Sequence, residues 1–320
     1  MKKMQFAIPF LLLILPGTVG AQRKVPLTVP YSGTSANFLC LWVAKEARHF
    51  DDEDLDTRLL QVRGGSLTVQ LLVSGESAIA TVGATAIAHA YLQGMKDLVM
   101  VAAVTNVMSY VLVSRPEIRG PESMKGKKVA VSRFGSTADF VAEYALKHLG
   151  LKKTDVSMVQ MGSEMDRLAL MQRGGVDMGV FTSNSIPALK KAGLHTLVDL
   201  QELKIPYLLN GVATTRSFLA KDRPLAVKFM RALIKGIKTV KSDRPLAQRV
   251  LAKYLKISDP ELLKIAAEEQ VKLLPDPPFP TEGGIRTILE DLGRNISDAN
   301  RISPTALMDP TIVSDAAKGQ

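Results

Sequence analysis

Five short turns rich in glycine and in hydroxyl side chains carry the residues best suited to binding chemistry. Each turn follows an apolar run and precedes a helical pattern. Each therefore leaves free backbone N–H groups beside hydroxyls at the positive end of a helix dipole, where an anion or another polar acceptor binds well. Ser, Thr and Asn also cap helices for structural reasons alone, which is the alternative interpretation. The turns are Ser32-Gly33-Thr34, Gly64-Gly65-Ser66, Gly83-Ala84-Thr85, Gly135-Ser136-Thr137 and Thr182-Ser183-Asn184.

Two arginines stand next to these turns. Arg63 directly precedes Gly64, and Arg133 lies two residues before Gly135. A guanidinium pairs well with a carboxylate or a sulfonate, so either arginine could bind an anionic ligand. Either could equally be a charge at the rim of the site. The sequence therefore leaves open which arginine, if either, contacts the ligand.

The elements that must position these turns alternate between strands and helices. Residues 26–114 contain five apolar runs that predict strands, with helical patterns between the first four, and residues 129–200 repeat this alternation. The pattern predicts an α/β fold with two lobes, each a mostly parallel sheet flanked by helices. Because the carboxyl ends of parallel strands meet at one edge of a sheet, the turns are expected to face a shared site.

Two stretches predict hinge crossings between the lobes: residues 115–128, which are polar with proline and glycine, and residues 203–215, which contain Pro206 and Asn210-Gly211. A cleft between hinged lobes is a common site for a ligand. The first lobe is expected to be discontinuous and the second to be inserted into it, and the last ten residues are expected to form a loose tail. The predicted bounds are 22–114 plus 207–310 for lobe I, 115–206 for lobe II and 311–320 for the tail.

The first 21 residues have the pattern of a secretory signal peptide. Lys2 and Lys3 precede an apolar run at Phe6–Leu15, and Val19-Gly20-Ala21 offers the small residues of a cleavage site. The run is about half of the roughly 20 apolar residues that span a bilayer, which disfavours a membrane anchor. We therefore expect an exported protein.

Composition argues against several other classes of function. The net charge is +10, and 12 Lys and Arg lie in residues 216–256. A nucleic-acid or anionic-lipid surface is one interpretation. Solvated helix faces are favoured, because the Lys and Arg are spread through amphipathic helical patterns. The single cysteine, Cys40, cannot form an internal disulfide. The four histidines do not form a metal-binding pattern, so we expect no metal site and no other cofactor. No nucleophile elbow or phosphate loop occurs, so we expect no enzyme.

Several motifs, in their order and spacing, resemble the solute-binding proteins of bacterial ABC importers. The resemblance is to the nitrate/sulfonate/taurine type, which is related to the pyrimidine-precursor-binding proteins, and it covers about residues 25–290. The segments that carry it are Ser32-Gly33-Thr34-Ser35, Gly64-Gly65-Ser66, Ala80-Thr81-Val82-Gly83, Lys125-Gly126-Lys127-Lys128-Val129-Ala130-Val131, Leu168-Ala169-Leu170-Met171 and Gly174-Gly175-Val176-Asp177-Met178-Gly179-Val180.

The resemblance implies a periplasmic-binding-protein type II fold. It implies a periplasmic monomer that closes on a small-molecule ligand and delivers it to an ABC-type membrane permease. Aromatic residues are only 5% of the chain, which favours a small aliphatic or anionic solute over a flat ring. The expected ligand is a small organic anion such as a sulfonate or carboxylate. A pyrimidine-type thiamine precursor as ligand, and a sensing role for a membrane receptor, are the alternatives. The expected ligand-binding residues are Ser32, Thr34, Ser35, Asn37, Gly64, Gly65, Gly83, Thr85, Arg133, Gly135, Ser136, Thr137, Thr182, Asn184 and Asn210.

Overall fold

The chain folds into two five-stranded sheets with helices packed on them. The structure, a computed structural model, describes residues 24–294 and 296–318. The predicted signal peptide at residues 1–21 lies outside the described residues. The strands are β1 Val25–Tyr31, β2 Leu55–Gln61, β3 Ile79–Val82, β4 Leu98–Val107, β5 Tyr110–Ser114, β6 Lys128–Val131, β7 Ser157–Gln160, β8 Met178–Thr182, β9 His195–Asp199 and β10 Pro206–Thr215.

Helices connect most of the strands and cover both sheets. Short 3₁₀ turns, such as Ala36–Phe38 before α1, join several of them. None of the helices in the described part of the chain is both long and apolar enough to cross a membrane. The helices are α1 Leu39–Glu46, α2 Gly65–Val73, α3 Ala84–Leu92, α4 Pro121–Met124, α5 Thr137–His148, α6 Glu164–Gln172, α7 Ile186–Lys191, α8 Arg216–Ser242, α9 Arg244–Leu255, α10 Pro260–Leu273, α11 Glu282–Leu292 and α12 Thr311–Ala317.

The two sheets have the same plan. The strand order is β2-β1-β3-β10-β4 in the first sheet and β7-β6-β8-β5-β9 in the second. Three neighbouring strands of each sheet are parallel, and one strand that arrives from the other lobe, β10 or β5, pairs antiparallel with both of its neighbours. The α/β fold with two lobes and sheets flanked by helices, predicted from the alternation, is confirmed.

Tightly packed apolar side chains fill the first lobe between its sheet and the helices α1, α8 and α9. Trp42 is fully buried and stacks on Tyr254 with 4.6 Å between ring centroids, and Phe50 stacks on Phe229 at 5.3 Å. Cys40 is buried in the same core, and burial raises the pKa of its thiol to about 12, as expected for a packing residue. This core holds the first wall of the cleft in place.

The two chain crossings run side by side and form a double hinge. The Met108 N–H donates to the Ile205 carbonyl at 3.1 Å, just beside the pairing of Val107 with Pro206. Strand β5 therefore begins beyond the first crossing and pairs with β8 and β9 of the second sheet. The sequence-based boundary at residue 114, which placed this strand in the first lobe, is wrong, because a strand joins the sheet whose neighbours can pair with it.

The carboxyl-terminal segment is packed rather than loose. Residues Thr311–Ala317 form α12, whose Ile312, Val313 and Ala316 are fully buried in the first-lobe core. The Asp315 carboxylate also pairs with Arg223 of α8 at 2.5 Å. The predicted loose tail is therefore wrong over residues 311–318, because an apolar face spaced for a helix finds α8 to pack on.

Most of the basic region forms the long helix α8. Its apolar face is buried, while Lys228 and Lys235 on its other face pair with the acidic loop at Asp54 and Glu53, at 3.3 and 2.9 Å. Glu53 and Asp54 therefore partly neutralise the basic region within the first lobe.

Candidate ligand-binding cleft

A partly enclosed cavity of about 60 Å³ lies between the two lobes, where strands of both sheets end. A cavity needs roughly 10–15 Å³ to hold one water, so this one has room for only a few small groups. The first lobe lines it with Ser32, Gly33, Thr34, Ser35, Asn37, Phe38, Gly65, Gly83, Leu209 and Asn210. The second lobe lines it with Tyr110, Ser132, Ser136, Thr137, Ala138, Gly162, Ser163, Glu164 and Arg167.

The first-lobe wall is polar but uncharged. Buried amides brace it: the Asn210 side-chain amide donates to the Asn37 carbonyl, and the Gln270 amide donates to Asn37 Oδ1, both at 3.1 Å. The Ser32 N–H is bonded to the Thr81 carbonyl at 3.2 Å, which ties the first turn to the neighbouring strand. This wall offers hydroxyls, amides and backbone groups to a ligand, and no formal charge.

The first turn of the second lobe is fixed by its own capping bonds. The Ser136 hydroxyl accepts from the Asp139 N–H at 3.4 Å, and Asp139 Oδ2 accepts from the Gly135 N–H at 2.9 Å. Gly135 has φ +72°, a conformation that glycine adopts without strain. Ser136 and Thr137 are buried in the cavity wall. The turn thus presents two hydroxyls and the start of α5 to the cavity.

Arg167 places a buried positive charge in the opposite part of the second-lobe wall. It is only 3% exposed, and it stacks over the Phe181 ring at 5.4 Å. Its Nε donates to the Val180 carbonyl at 2.9 Å and its Nη1 to the Gly162 carbonyl at 2.7 Å. These bonds leave Nη2 without a hydrogen-bond partner among the described residues. Burial lowers the pKa of Arg167, yet a guanidinium stays charged at neutral pH.

The position of Arg167 follows from where α6 begins. Ser163 caps this helix by accepting from the Asp166 N–H at 3.2 Å, and Asp166 Oδ2 accepts from the Ser163 N–H at 3.0 Å. These reciprocal bonds form a capping box. A side chain in the first turn of a helix points back toward the N-terminus. Arg167 therefore reaches over the Gly162-Ser163 turn into the cavity.

Glu164 and Tyr110 complete this charged corner. Glu164 Oε1 accepts from the Thr182 N–H at 2.9 Å, and Oε2 accepts from the Ser185 hydroxyl at 3.0 Å. Burial raises the pKa of the Glu164 carboxyl and of the Tyr110 phenol. Glu164 and Arg167 influence each other's pKa values, yet neither is in an ion pair with a described residue. The corner therefore contains one cation that no carboxylate neutralises by direct contact.

The residues predicted from the sequence do not include Arg167, Glu164 or Tyr110. A signal for the first two was present, because Gly162-Ser163 is a sixth small, hydroxyl-bearing turn between a strand and a helix. No sequence pattern marked Tyr110, since its position depends on β5 pairing in the second sheet.

Nine of the fifteen expected ligand-binding residues line the cavity and six do not. Thr85 instead shares a hydrogen bond with the Tyr207 hydroxyl. Thr182 and Asn184 do not reach the cavity, and the Thr182 N–H donates to Glu164 instead. The N–H of Gly135 is used by Asp139. The nine are Ser32, Thr34, Ser35, Asn37, Gly65, Gly83, Ser136, Thr137 and Asn210, and the six are Gly64, Thr85, Arg133, Gly135, Thr182 and Asn184.

The two arginines noted in the sequence lie at the rim of the cleft. Arg133 Nε crosses between the lobes and donates to the Arg63 carbonyl at 2.7 Å, and its aliphatic stem packs on Gly64. Nearby, the Ser66 hydroxyl donates to the Phe134 carbonyl at 2.8 Å. Arg133 thus contacts the other lobe rather than the cavity, because it lies in the turn before α5 and not within the helix.

The lobes also touch inside the cleft. A Cβ added at Gly83 would collide with Thr137 Oγ1 and would lie 2.8 Å from the Leu209 carbonyl oxygen. Real Cβ atoms do not come so close to a backbone oxygen. Only glycine therefore allows the turn after β3 to meet the start of α5 in this closed arrangement.

Two α/β lobes joined by paired crossings around a polar cleft define a periplasmic-binding-protein type II fold. The same fold occurs in the alkanesulfonate-binding protein SsuA from Xanthomonas axonopodis pv. citri, solved with bound MOPS. That structure superposes with a TM-score of 0.70 at 18% identity and covers 92% of this chain and 99% of that chain.

The chain belongs to the NMT1/THI5-like family, whose model matches residues 35–244. It is 27% identical over 249 residues to YtlA of Bacillus subtilis (strain 168), which is named provisionally as a binding protein. This match covers 74% of each chain. It is 33% identical over 139 residues to the taurine-binding periplasmic protein of Escherichia coli (strain K12), which covers 43% of this chain and 42% of that protein. The predicted resemblance to importer solute-binding proteins is confirmed.

Proposed function

We propose that this protein is an exported solute-binding protein that captures a small organic anion between its lobes and delivers it to an ABC-type membrane permease. The observation that carries the proposal is Arg167, a buried guanidinium in the cavity wall with no ion-pair partner among the described residues. A buried charge is unfavourable unless it is paired. A carboxylate or sulfonate in the cavity supplies that pair.

The surrounding groups fit the same ligand. The Thr137 hydroxyl, together with those of Ser32 and Ser35 of the other lobe, can donate to the remaining oxygens of a carboxylate or sulfonate. The Ser136 hydroxyl instead donates to the Arg133 carbonyl at 2.6 Å and fixes the turn. The relatives named for taurine and alkanesulfonate binding also make a sulfonate the first ligand class to test.

The role is binding rather than catalysis. The ligand contacts come from both lobes, so binding favours the closed arrangement over the open one. The contacts at Gly83, Arg133 and Ser66 then exist only when the lobes meet. A closed, ligand-bound monomer in the periplasm is the form that we expect the permease to recognise.

Ligand binding is tested directly on the purified protein. Ethanesulfonate, acetate and nitrate are titrated by calorimetry and thermal shift, with ethylammonium chloride as the cationic control. We expect at least one of the organic anions to stabilise the protein, by about 2.7 kcal/mol at a hundredfold excess over its Kd. Protein that is folded by circular dichroism but binds none of the anions, or that binds ethylammonium equally well, contradicts the proposal. Uptake of the bound anion by cells with and without the protein then tests delivery.

A further inference from the structure

A buried glutamine lies behind the first-lobe wall of the cleft. Gln270, in the last turn of α10, is fully buried and does not line the cavity. Its Nε2 donates to Asn37 Oδ1 at 3.1 Å, and its Oε1 has no hydrogen-bond partner among the described residues. A buried polar atom without a partner is unfavourable, so an apolar side chain would suit this core position better. The contact with Asn37 is therefore what packing alone does not explain.

Asn37 lies between Gln270 and the cavity. It belongs to the 3₁₀ turn Ala36–Phe38, is only 4% exposed and lines the cavity. Its backbone carbonyl accepts from the Asn210 amide, and its side-chain oxygen accepts from Gln270, both at 3.1 Å. Asn37 Nδ2 makes no hydrogen bond to another residue in the described part of the chain. The amide nitrogen is therefore the polar end of this side chain that is free to bind a ligand.

The direction of the bond from Gln270 decides which end of the amide is free. An asparagine side chain carries one acceptor, Oδ1, and one NH₂ donor group on the same carbon. While Gln270 donates to Oδ1, Nδ2 is left for the cavity and can donate to an anion. If the amide turned over, Oδ1 would take that place and repel an anion.

We propose that Gln270 is a positioning residue of the binding site, which fixes the Asn37 amide so that Nδ2 donates to the anionic group of the ligand. This inference rests on the proposed function and adds the residue that orients a donor of the first-lobe wall. The anion then receives Arg167 from one lobe and an oriented amide from the other. Gln270 itself does not touch the ligand.

The helix that carries Gln270 is held in place by both lobes. Lys191 of α7 pairs with Asp259, the residue that caps α10, at 2.6 Å. Near the other end of α10, the Gln201 amide donates to Glu269 at 2.7 Å. Both contacts join the second lobe to the first. The closed arrangement of the lobes thus fixes the helix whose next residue, Gln270, orients the Asn37 amide.

A double-mutant cycle tests the positioning role, with affinity measured by calorimetry. The ligand is whichever of ethanesulfonate, acetate and nitrate binds the wild type most tightly. Gln270→Met keeps the length of the side chain and removes its hydrogen bond. We expect it to weaken binding about fivefold at a similar melting temperature, as for the loss of one hydrogen bond. In an Asn37→Ala background the same change should have an effect below about twofold, because no amide remains to be oriented.

Gln201→Met is the matched control on the same helix. It breaks the bond to Glu269, the residue before Gln270, and leaves the bond to Asn37 in place. Any effect of this change on affinity acts through lobe closure, so we expect the same factor in the wild type and in Asn37→Ala.

Nuclear magnetic resonance of the wild type provides a second measurement that does not depend on how the Gln270 variant folds. The side-chain NH₂ signals of Asn37 are identified by their loss in Asn37→Ala. We expect these signals to shift when the anion saturates the protein. Those of Gln248, a half-buried glutamine of α9 that does not line the cavity, should stay in place. In Gln270→Met the shift of the Asn37 signals should be reduced.

The outcomes separate this inference from the proposed function. If an anion binds but Gln270→Met weakens it equally with and without the Asn37 side chain, Gln270 has only a structural role and the anion-binding proposal stands. The same conclusion follows if the Asn37 NH₂ signals of the wild type do not move on saturation. If none of the anions binds the wild type, both proposals are wrong.

Discussion

Two junctions of the second lobe begin with the same local pattern and end with different chemistry. In each, a strand is followed by a small turn, a serine cap and an aspartate at the third helical position: Ser136 with Asp139, and Ser163 with Asp166. The next residue of the first helix is Phe140, which stacks on Tyr207 at 5.4 Å in the core. The next residue of the second helix is Arg167, the buried cation of the cavity.

A helix cap alone therefore does not define a binding site. Both caps satisfy free N–H groups at a helix start, which any helix requires. The fourth helical position decides the chemistry, because its side chain points back over the cap. Arg133, which lies before the cap of α5, projects to the rim instead. Variants at the two junctions test whether anion affinity follows this positional difference.

The largest expected effect comes from removing the buried charge. Arg167→Gln is expected to weaken ethanesulfonate binding by about a hundredfold, since losing one partner of a buried charged pair costs about 2–5 kcal/mol. Calorimetry gives the affinity. Arg133→Gln is the matched control at the other junction, and we expect a change below threefold. Equal losses of affinity for the two variants would show that anion binding does not depend on the buried arginine at the fourth helical position.

Arg167 also donates hydrogen bonds to two backbone carbonyls, so its replacement can affect folding as well as binding. The two effects must be measured separately. Arg167→Lys keeps the charge but not the planar fork. We expect it to retain more affinity than Arg167→Gln at a similar melting temperature. A variant that melts like the wild type and still fails to bind assigns the effect to the ligand contact.

A smaller effect is expected from the hydroxyls of the first junction. Ser136→Ala combined with Thr137→Val should weaken binding about tenfold, because it removes the Thr137 hydroxyl from the cavity and the hydrogen bonds by which Ser136 fixes this turn, each worth about 0.5–1.5 kcal/mol. Thr85→Val is the comparison variant: Thr85 bonds to Tyr207 outside the cavity, so its loss should lower the melting temperature and leave affinity unchanged. If the double variant binds as tightly as the wild type, the turn before α5 is not part of the binding site.

The smallest expected effect is a pH dependence from Glu164. Its pKa is raised by burial, so the folded state binds this proton more readily than the unfolded state does. The contribution of the neutral carboxyl to the free energy of unfolding is therefore present at low pH. It is lost as pH rises from the ordinary carboxyl pKa through the raised one. Protonation also removes a negative charge beside the ligand, so anion affinity should rise as pH falls.

Ethanesulfonate is the suitable probe for this dependence, because a sulfonate does not titrate near neutral pH. As pH falls from about 7.5 toward the ordinary carboxyl pKa, we expect affinity to increase about fivefold, an effect of roughly 1 kcal/mol. Glu164→Gln should flatten the profile and bind at pH 7.5 as tightly as the wild type binds at low pH. A wild-type profile that stays flat, or a variant that keeps the slope, contradicts this role for Glu164.

The sequence was sufficient for the fold and for much of the site. Alternating apolar runs and helical patterns predicted two α/β lobes, because strand and helix periodicity are local properties. Five small turns were predicted to face one site. Residues of the turns after β1, β2, β3 and β6 line one cavity, and the turn after β8 does not. The topology of parallel strands makes this predictable, since their carboxyl ends share one edge.

Tertiary structure alone decided which charged groups enter the site. Arg133 and Arg167 both lie near a capped helix start, yet only Arg167 is buried. Its guanidinium stacks on the Phe181 ring and donates hydrogen bonds to the Val180 and Gly162 carbonyls. Tyr110 lines the cavity because β5 pairs with the second sheet, and α12 is ordered because α8 offers it an apolar face. These outcomes depend on contacts between residues far apart in the chain, which local patterns do not encode.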